Sequence, residues 1–293
     1  MELSPTTITQ DAMRQQEFAM LLAKASPERR AIFEKLQGKQ WFQHTDFELQ
    51  KKLLTLPRKG KENYDGFLAD LAARPEDIAN IHVERLVDVP RGKFAIVPKF
   101  EVSRIDRPNT RFTYEYVSWN TGPLSGAKGV VFVEKGGQLS HFIVLKGEKF
   151  ATGKTGFDSV GGFFDKGTDG VNTIDDLIRK EIAEELGKPD IAISTIDRLG
   201  SLHPDAGMTN AKPELFAATI SFDEMRRLPS QPVNPDIEEL ASGPVIYPLE
   251  ALPQVVMTNS DGFFLSTIAR AWAKGIIPPP EPLVGKSVIF SPN

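Results

Sequence analysis

Gly161-Gly162-Phe163-Phe164-Asp165-Lys166-Gly167, followed by Lys180-Glu181-Ile182-Ala183-Glu184-Glu185-Leu186-Gly187, is the stretch on which the fold turns. Ile174, Leu177, Ile178 and Ile182 recur at helical spacing, so residues 173–186 read as an amphipathic helix that Gly187 stops. Glu181, Glu184 and Glu185 stand at i, i+3 and i+4, which puts three carboxylates on one face. Like charges that close repel one another, and acid at a helix C-terminus opposes the dipole. A hard divalent cation would gather them, because Mg²⁺ prefers carboxylate oxygens and usually brings phosphate with it. The glycine pair ahead of the helix lets backbone approach closely, as a phosphate-bearing site needs. A solvated helix with an acidic end is the plain alternative.

Outward from this helix, residues 94–97, 111–119, 130–134 and 141–145 are rich in β-branched and aromatic side chains and read as strands. Further strands are predicted at 191–199, 215–220 and 244–247, then a helix at 263–274. Strands interrupted by two main helices predict an α/β fold, with a mixed sheet between helices. The first ninety residues have a different texture. Helical patterns run through 9–24 (Met13, Phe18, Leu21, Leu22), 31–36, 46–56 and 64–73, punctuated by Pro57, Gly60 and Pro75. The expected organisation is a helical N-terminal domain over 1–90, an α/β domain over 91–276 and a proline-rich tail over 277–293.

Composition narrows the function. A length of 293 residues suits about two domains. Lys and Arg total 35 against 39 Asp and Glu, a formal charge of −4, which disfavours a protein built to grip nucleic-acid backbone. Residues 1–90 carry 13 basic and 14 acidic side chains, so no polycationic arm is hidden there. With no cysteine, there is no disulfide, thiolate nucleophile or Cys-ligated metal. The histidines (His44, His82, His141, His203) are scattered and never at i,i+4, which argues against structural zinc. Asp11, Arg14 and Glu17 interrupt any apolar signal core, and no run approaches a membrane span of roughly 20 apolar residues. A soluble, cytoplasmic chain is expected.

The 161–187 stretch resembles a Nudix box, G-x5-E-x7-R-E-U-x-E-E-x-G-U with U bulky and apolar. Glu181, Ile182, Glu184, Glu185 and Gly187 fall in register, with Lys180 in place of the Arg and Lys188 in place of the final apolar residue. The first half departs from the pattern. Five residues after Gly162 stands Thr168 rather than Glu, and counting back from Lys180 puts Asn172 there, so the loop is four residues longer. The run 157–162 is similar to the approach in ADP-ribose and nucleotide-sugar pyrophosphatases. Leu202-His203-Pro204-Asp205-Ala206-Gly207-Met208-Thr209, with Glu214-Leu215-Phe216-Ala217-Ala218 after it, is similar to a later loop and strand of that group. The likeness covers about residues 94–276.

That resemblance implies a Nudix-type α/β/α sandwich with a mixed sheet, preceded by a small helical domain. It implies an Mg²⁺-dependent hydrolase, with Mn²⁺ as an alternative ion, that cleaves a nucleoside diphosphate linked to another moiety. ADP-ribose or a nucleotide sugar is the implied substrate. Carried over by position, Glu181, Glu184, Glu185 and the Gly161 carbonyl would hold the metal. Glu185 or Glu214 would take the catalytic proton, Glu184 would bind the metal or position the water, and Lys146, Lys149, Lys154 and Gly162 would contact the diphosphate. Solvated loop lysines are the plain alternative for those three. The competing function is a catalytically weak nucleotide-binding module that signals through the helical domain. That domain would serve as a homodimerisation element, a lid or a recruiter of a partner.

Overall fold

A computed structural model describes residues 10–59, 62–92, 95–149, 153–164, 170–229 and 241–279. Residues 280–293 of the tail expected over 277–293, Phe94 and the box residues Asp165, Lys166, Gly167 and Thr168 lie outside them. The chain divides into two compact units. The first comprises residues 1–123 with 205–211, and the second 124–204 with 212–293.

The first unit opens with helices α1 (Gln10–Lys24), α2 (Pro27–Gln37), α3 (Gln40–Gln43) and α4 (Phe47–Leu54). Short strands β1 (Arg58–Lys59) and β2 (Glu62–Asn63) precede α5 (Asp65–Ala73). Then come β3 (Asp77–Ile78), β4 (Ile81–Asp88), β5 (Ala95–Ile96), β6 (Lys99–Arg104), β7 (Arg107–Glu115) and β8 (Ser118–Trp119). Strands β3-β4-β6-β7 form an antiparallel sheet in that order.

The division between the units falls at Pro123 for a packing reason. Phe33, Trp41 and Phe67 from the helices share one core with Val83, Leu86, Phe100, Val102 and Tyr116 from the sheet region. The helices alone lack enough apolar partners to close it. Ser26 caps α2 by accepting from the Arg29 N–H. The buried Arg29 guanidinium is fully occupied, bonding Asp65 Oδ1 at 2.8 Å and the carbonyls of Leu54, Leu56 and Pro57. A buried charge is tolerated only with such partners. Residues 205–211 are tied into this unit. Val117 N–H donates to the Met208 carbonyl at 2.8 Å, and the Asn210 amide donates to Asp70 at 2.8 Å.

The second unit runs β9 (Ala127–Lys135), β10 (Gln138–Lys149), β11 (Lys154–Asp158), α6 (Ile174–Glu185), β12 (Ile193–Ser201) and β13 (Glu214–Ser221). It continues through α7 (Phe222–Arg226), β14 (Ala241–Pro248), α8 (Leu252–Thr258) and α9 (Gly262–Ala273). The strand path is β11-β10-β9-β13-β12, with β14 also paired to β10. β9 and β13 are parallel and the remaining pairs antiparallel, so the sheet is mixed.

Side-chain alternation builds two cores on its faces. Val131, Val133, Ile143 and Phe216 pack with Leu177, Ile178 and Ile182 of α6. Val130, Phe132, Phe142 and Leu215 face Val255 of α8 with Phe264 and Ile268 of α9. The expected α/β/α layering is present. Among the described residues no helix is long and apolar enough to cross a membrane.

Candidate active site

Helix α6 begins with a reciprocal cap. The Thr173 hydroxyl accepts from the Asp176 N–H at 3.1 Å, and the Asp176 carboxylate accepts from the Thr173 N–H at 2.9 Å. It ends in a paired closure at Gly187, which takes a φ of 67°. Gly187 N–H donates to the Glu184 carbonyl, and Lys188 N–H donates to the Ala183 carbonyl. These locks fix the last turn, the one that carries Glu181, Glu184 and Glu185.

Facing that turn is a glycine loop stitched to β9. Val160 and Gly129 exchange backbone hydrogen bonds, Ala127 N–H donates to the Gly162 carbonyl, and Phe164 N–H donates to the Ser125 carbonyl. Gly161 has a φ of 130°, and a Cβ there would sit 2.2 Å from the Ala127 carbonyl oxygen. A Cβ on Gly162 would come within 2.5 Å of the Glu181 carboxylate. Gly161 is therefore demanded by close approach to a strand, while Gly162 lies against the movable end of the first of the three glutamates.

The glutamates are not equivalent. Glu185 Oε2 accepts from the Gly161 N–H at 2.7 Å. Burial pushes its carboxyl up to about 8, with Glu181 and Asp158 pushing the same way and Lys128 and the Gly161 N–H opposing. Glu184 is exposed and pairs with Lys180 at 3.3 Å, one turn back. Glu214, at the start of β13, is held by Arg198 at 3.3 Å and receives the Ser201 hydroxyl at 3.4 Å. Arg198 in turn binds Asp175, in the first turn of α6 rather than the last. The structure thus brings Glu181, Glu185, Gly161 and Gly162 together, while Glu184 and Glu214 are engaged with cations of their own.

The lysines expected at the diphosphate fall along a hairpin. Lys146 pairs with Phe157, and Lys149 with Lys154 at the far end of β11. Four residue-to-residue steps of strand lie between Lys154 and Asp158, about 13 Å at ~3.3 Å per step. The departures from the box have local partners. Asn172 donates its N–H to Asp176 and its amide to the Gly170 carbonyl. Lys188 pairs with Asp190 and Glu224, each at 2.9 Å. Asp205 accepts from the Gly207 N–H at 2.9 Å, as a turn-forming residue does.

Three contributors escaped the sequence reading. Lys128, on β9, donates to the Gly161 carbonyl at 2.5 Å. The Asp158 carboxylate accepts from the Ser159 N–H and adds to the charge felt by Glu185. Asp261 caps α9 and also accepts from the Ser159 N–H at 2.9 Å and the Ser159 hydroxyl at 2.6 Å. A lone lysine inside the apolar run 127–133 was the available signal for the first.

The donor chemistry suits a hard divalent cation. Glu181 and Asp158 add negative charge beside the buried Glu185 carboxyl, which Lys128 offsets in part and a divalent ion would offset further. Among the described residues, however, no group of three or more His, Asp or Glu is closed around one point.

No family model matches the sequence, and no curated protein matches it. Among solved structures, the chain is similar to one described as an ADP compounds hydrolase, at 14% identity and a TM-score of 0.49. The alignment covers 69% of this chain and 98% of that one. It is also similar to the Nudix domain of NrtR from Shewanella oneidensis in a cocrystal with ADP-ribose, at 16% identity and a TM-score of 0.36. That alignment covers 52% of this chain and 88% of the domain. Likeness at such scores carries no weight of its own, so function rests on the geometry of α6 and the glycine loop.

Proposed function

We propose that the second unit is a Nudix-type pyrophosphohydrolase that cleaves a nucleoside diphosphate linked to another moiety, with ADP-ribose or a nucleotide sugar as the substrate. The observation that carries this reading is the meeting of α6 with the glycine loop. Glu185 grips the Gly161 N–H, and Gly162 leaves room for the Glu181 carboxylate. Glu181 and Glu185 would hold Mg²⁺ or Mn²⁺, which when bound neutralises non-bridging phosphate oxygens and acidifies water.

Water attacks one phosphorus of the diphosphate, and the bond from that phosphorus to the bridging oxygen breaks. A nucleoside monophosphate and a phosphorylated second moiety leave. The proton of the attacking water passes to Glu185, the carboxyl that faces the glycine loop, since Glu184 and Glu214 are already paired with Lys180 and Arg198. Gly161 and Gly162 bring the loop backbone up against β9 and the Glu181 carboxylate. Of the three lysines, Lys146 lies nearest along the hairpin to Asp158 and is the best placed to contact the diphosphate.

Glu185→Gln tests the assignment. Turnover should fall by ~10² or more while nucleotide binding persists. Unchanged turnover removes Glu185 from the chemistry. A second reading, a nucleotide-binding module with weak catalysis, is favoured by the pairing of Glu184 with Lys180 and by the absence of a closed acidic group among the described residues. Nucleotide binding without metal-dependent turnover would select it.

A further inference from the structure

Lys128 is the one charged residue in 127–133, a run otherwise made of Ala, Gly, Val and Phe in the middle of the sheet. A cation in such a strand is costly unless it is partnered. Its partner is specific: Nζ donates to the Gly161 carbonyl oxygen at 2.5 Å. The same residue's N–H is taken by Glu185 at 2.7 Å. Gly161 is therefore clamped at both ends, by an ammonium on its carbonyl and a carboxylate on its amide. Gly162, next along the chain, lies against the Glu181 carboxylate.

We infer that Lys128 is an internal cation of the carboxylate site, which occupies the Gly161 carbonyl and weakens divalent-metal binding by Glu181 and Glu185. The inference rests on the metal reading of those glutamates given above. Two consequences follow from charge and geometry. The Gly161 oxygen, the backbone ligand expected from the sequence, already receives an ammonium, so an ion on the same oxygen would sit against that charge. A divalent ion entering beside Glu185 also meets a fixed positive charge, which repels it in a partly buried setting. In return the ammonium offsets part of the repulsion that Glu181 and Asp158 exert on Glu185. Lys128 is a positioning residue in this account, since it acts through Gly161.

The test is Mn²⁺ binding to the full chain, read as free Mn²⁺ by electron paramagnetic resonance at fixed pH and ionic strength. Wild type is compared with Lys128→Met, Lys128→Gln, Lys128→Arg and Glu181→Gln. Two neutral variants are used so that failure of one to fold leaves the other. Lys128→Met and Lys128→Gln should each bind Mn²⁺ about tenfold tighter or more. Lys128→Arg, which keeps the charge, should stay within about threefold of wild type. Glu181→Gln should lose the site. Wild-type binding with no tightening in either neutral variant overturns the role of Lys128 and leaves the metal reading standing. Equal tightening in Lys128→Arg overturns it as well. Absence of Mn²⁺ from every variant, or binding that Glu181→Gln leaves unchanged, overturns the metal site itself and the inference with it.

Discussion

Replacing Glu185 with Gln should make the chelated protein more stable at pH 8 while it removes turnover. In the folded chain the Glu185 carboxyl is raised from 4.5 to about 8, chiefly by burial. Below pH 4.5 both folded and unfolded states hold the proton, and the group imposes no penalty. As pH rises, the unfolded chain releases its proton while the folded chain retains it, so stability falls until pH passes about 8. At 1.36 kcal/mol per pH unit the whole gap is worth about 5 kcal/mol. Residual exposure of the residue lets water share the charge, and about 2 kcal/mol is a fair working figure. Gln keeps an acceptor for the Gly161 N–H and cannot ionise, so the penalty disappears. For a domain of this size the gain corresponds to roughly 4–8 °C in Tm.

The assay is thermal unfolding of wild type and Glu185→Gln in EDTA from pH 4.5 to 8.5. The two curves should coincide at the acid end and diverge above it, with the variant the more stable. Added Mg²⁺ should narrow the difference, because it stabilises only the chain that binds it. Equal Tm values at pH 8, or parallel pH profiles, would refute a buried and strained carboxyl at this position.

The two glycines should fail in different ways. Gly161→Ala places a Cβ against the Ala127 carbonyl oxygen with a φ of 130°, and should lower Tm steeply, by several kcal/mol of stability. Gly162→Ala meets only the movable end of Glu181, so melting should drop modestly while Mn²⁺ affinity falls about tenfold or more. Asp261→Ala removes the α9 cap and both bonds to Ser159, which should cost about 2 kcal/mol in denaturant unfolding and lower kcat through a loosened glycine loop. Full activity in that variant would separate the loop from α9.

The legible parts of the molecule were those written locally. Helix α6 was visible because Ile174, Leu177, Ile178 and Ile182 keep helical spacing and Gly187 closes it. The carboxylate cluster stood out because acid at a helix C-terminus opposes the dipole. Strands β9, β10 and β13 declared themselves through long apolar runs, as central strands do. Strands β4 and β6 did not. Arg85 sits at a bulge that breaks the alternation of β4, and β6 offers only Phe100 and Val102 as apolar positions. The unit boundary at Pro123 was hidden because it depends on Trp41 and Phe67 sharing a core with Phe100 and Tyr116, contacts far apart in sequence. Glu184 and Glu214 stood beside Glu185 as catalytic candidates in the sequence. Only the positions of Lys180 and Arg198 separate them. Lys128 and Asp261 act on Gly161 and Ser159 across tertiary contacts that no spacing rule encodes.

The central claim is metal-dependent cleavage of a diphosphate linkage at the junction of α6 and the glycine loop. Its most direct test is product analysis across ADP-ribose, NADH, dinucleoside polyphosphates, nucleotide sugars and nucleoside triphosphates, each with Mg²⁺, with Mn²⁺ and with chelator. The account predicts release of a nucleoside monophosphate from ADP-ribose or a nucleotide sugar, abolished by chelator and by Glu185→Gln. No turnover of any substrate, alongside measurable nucleotide binding, would contradict it.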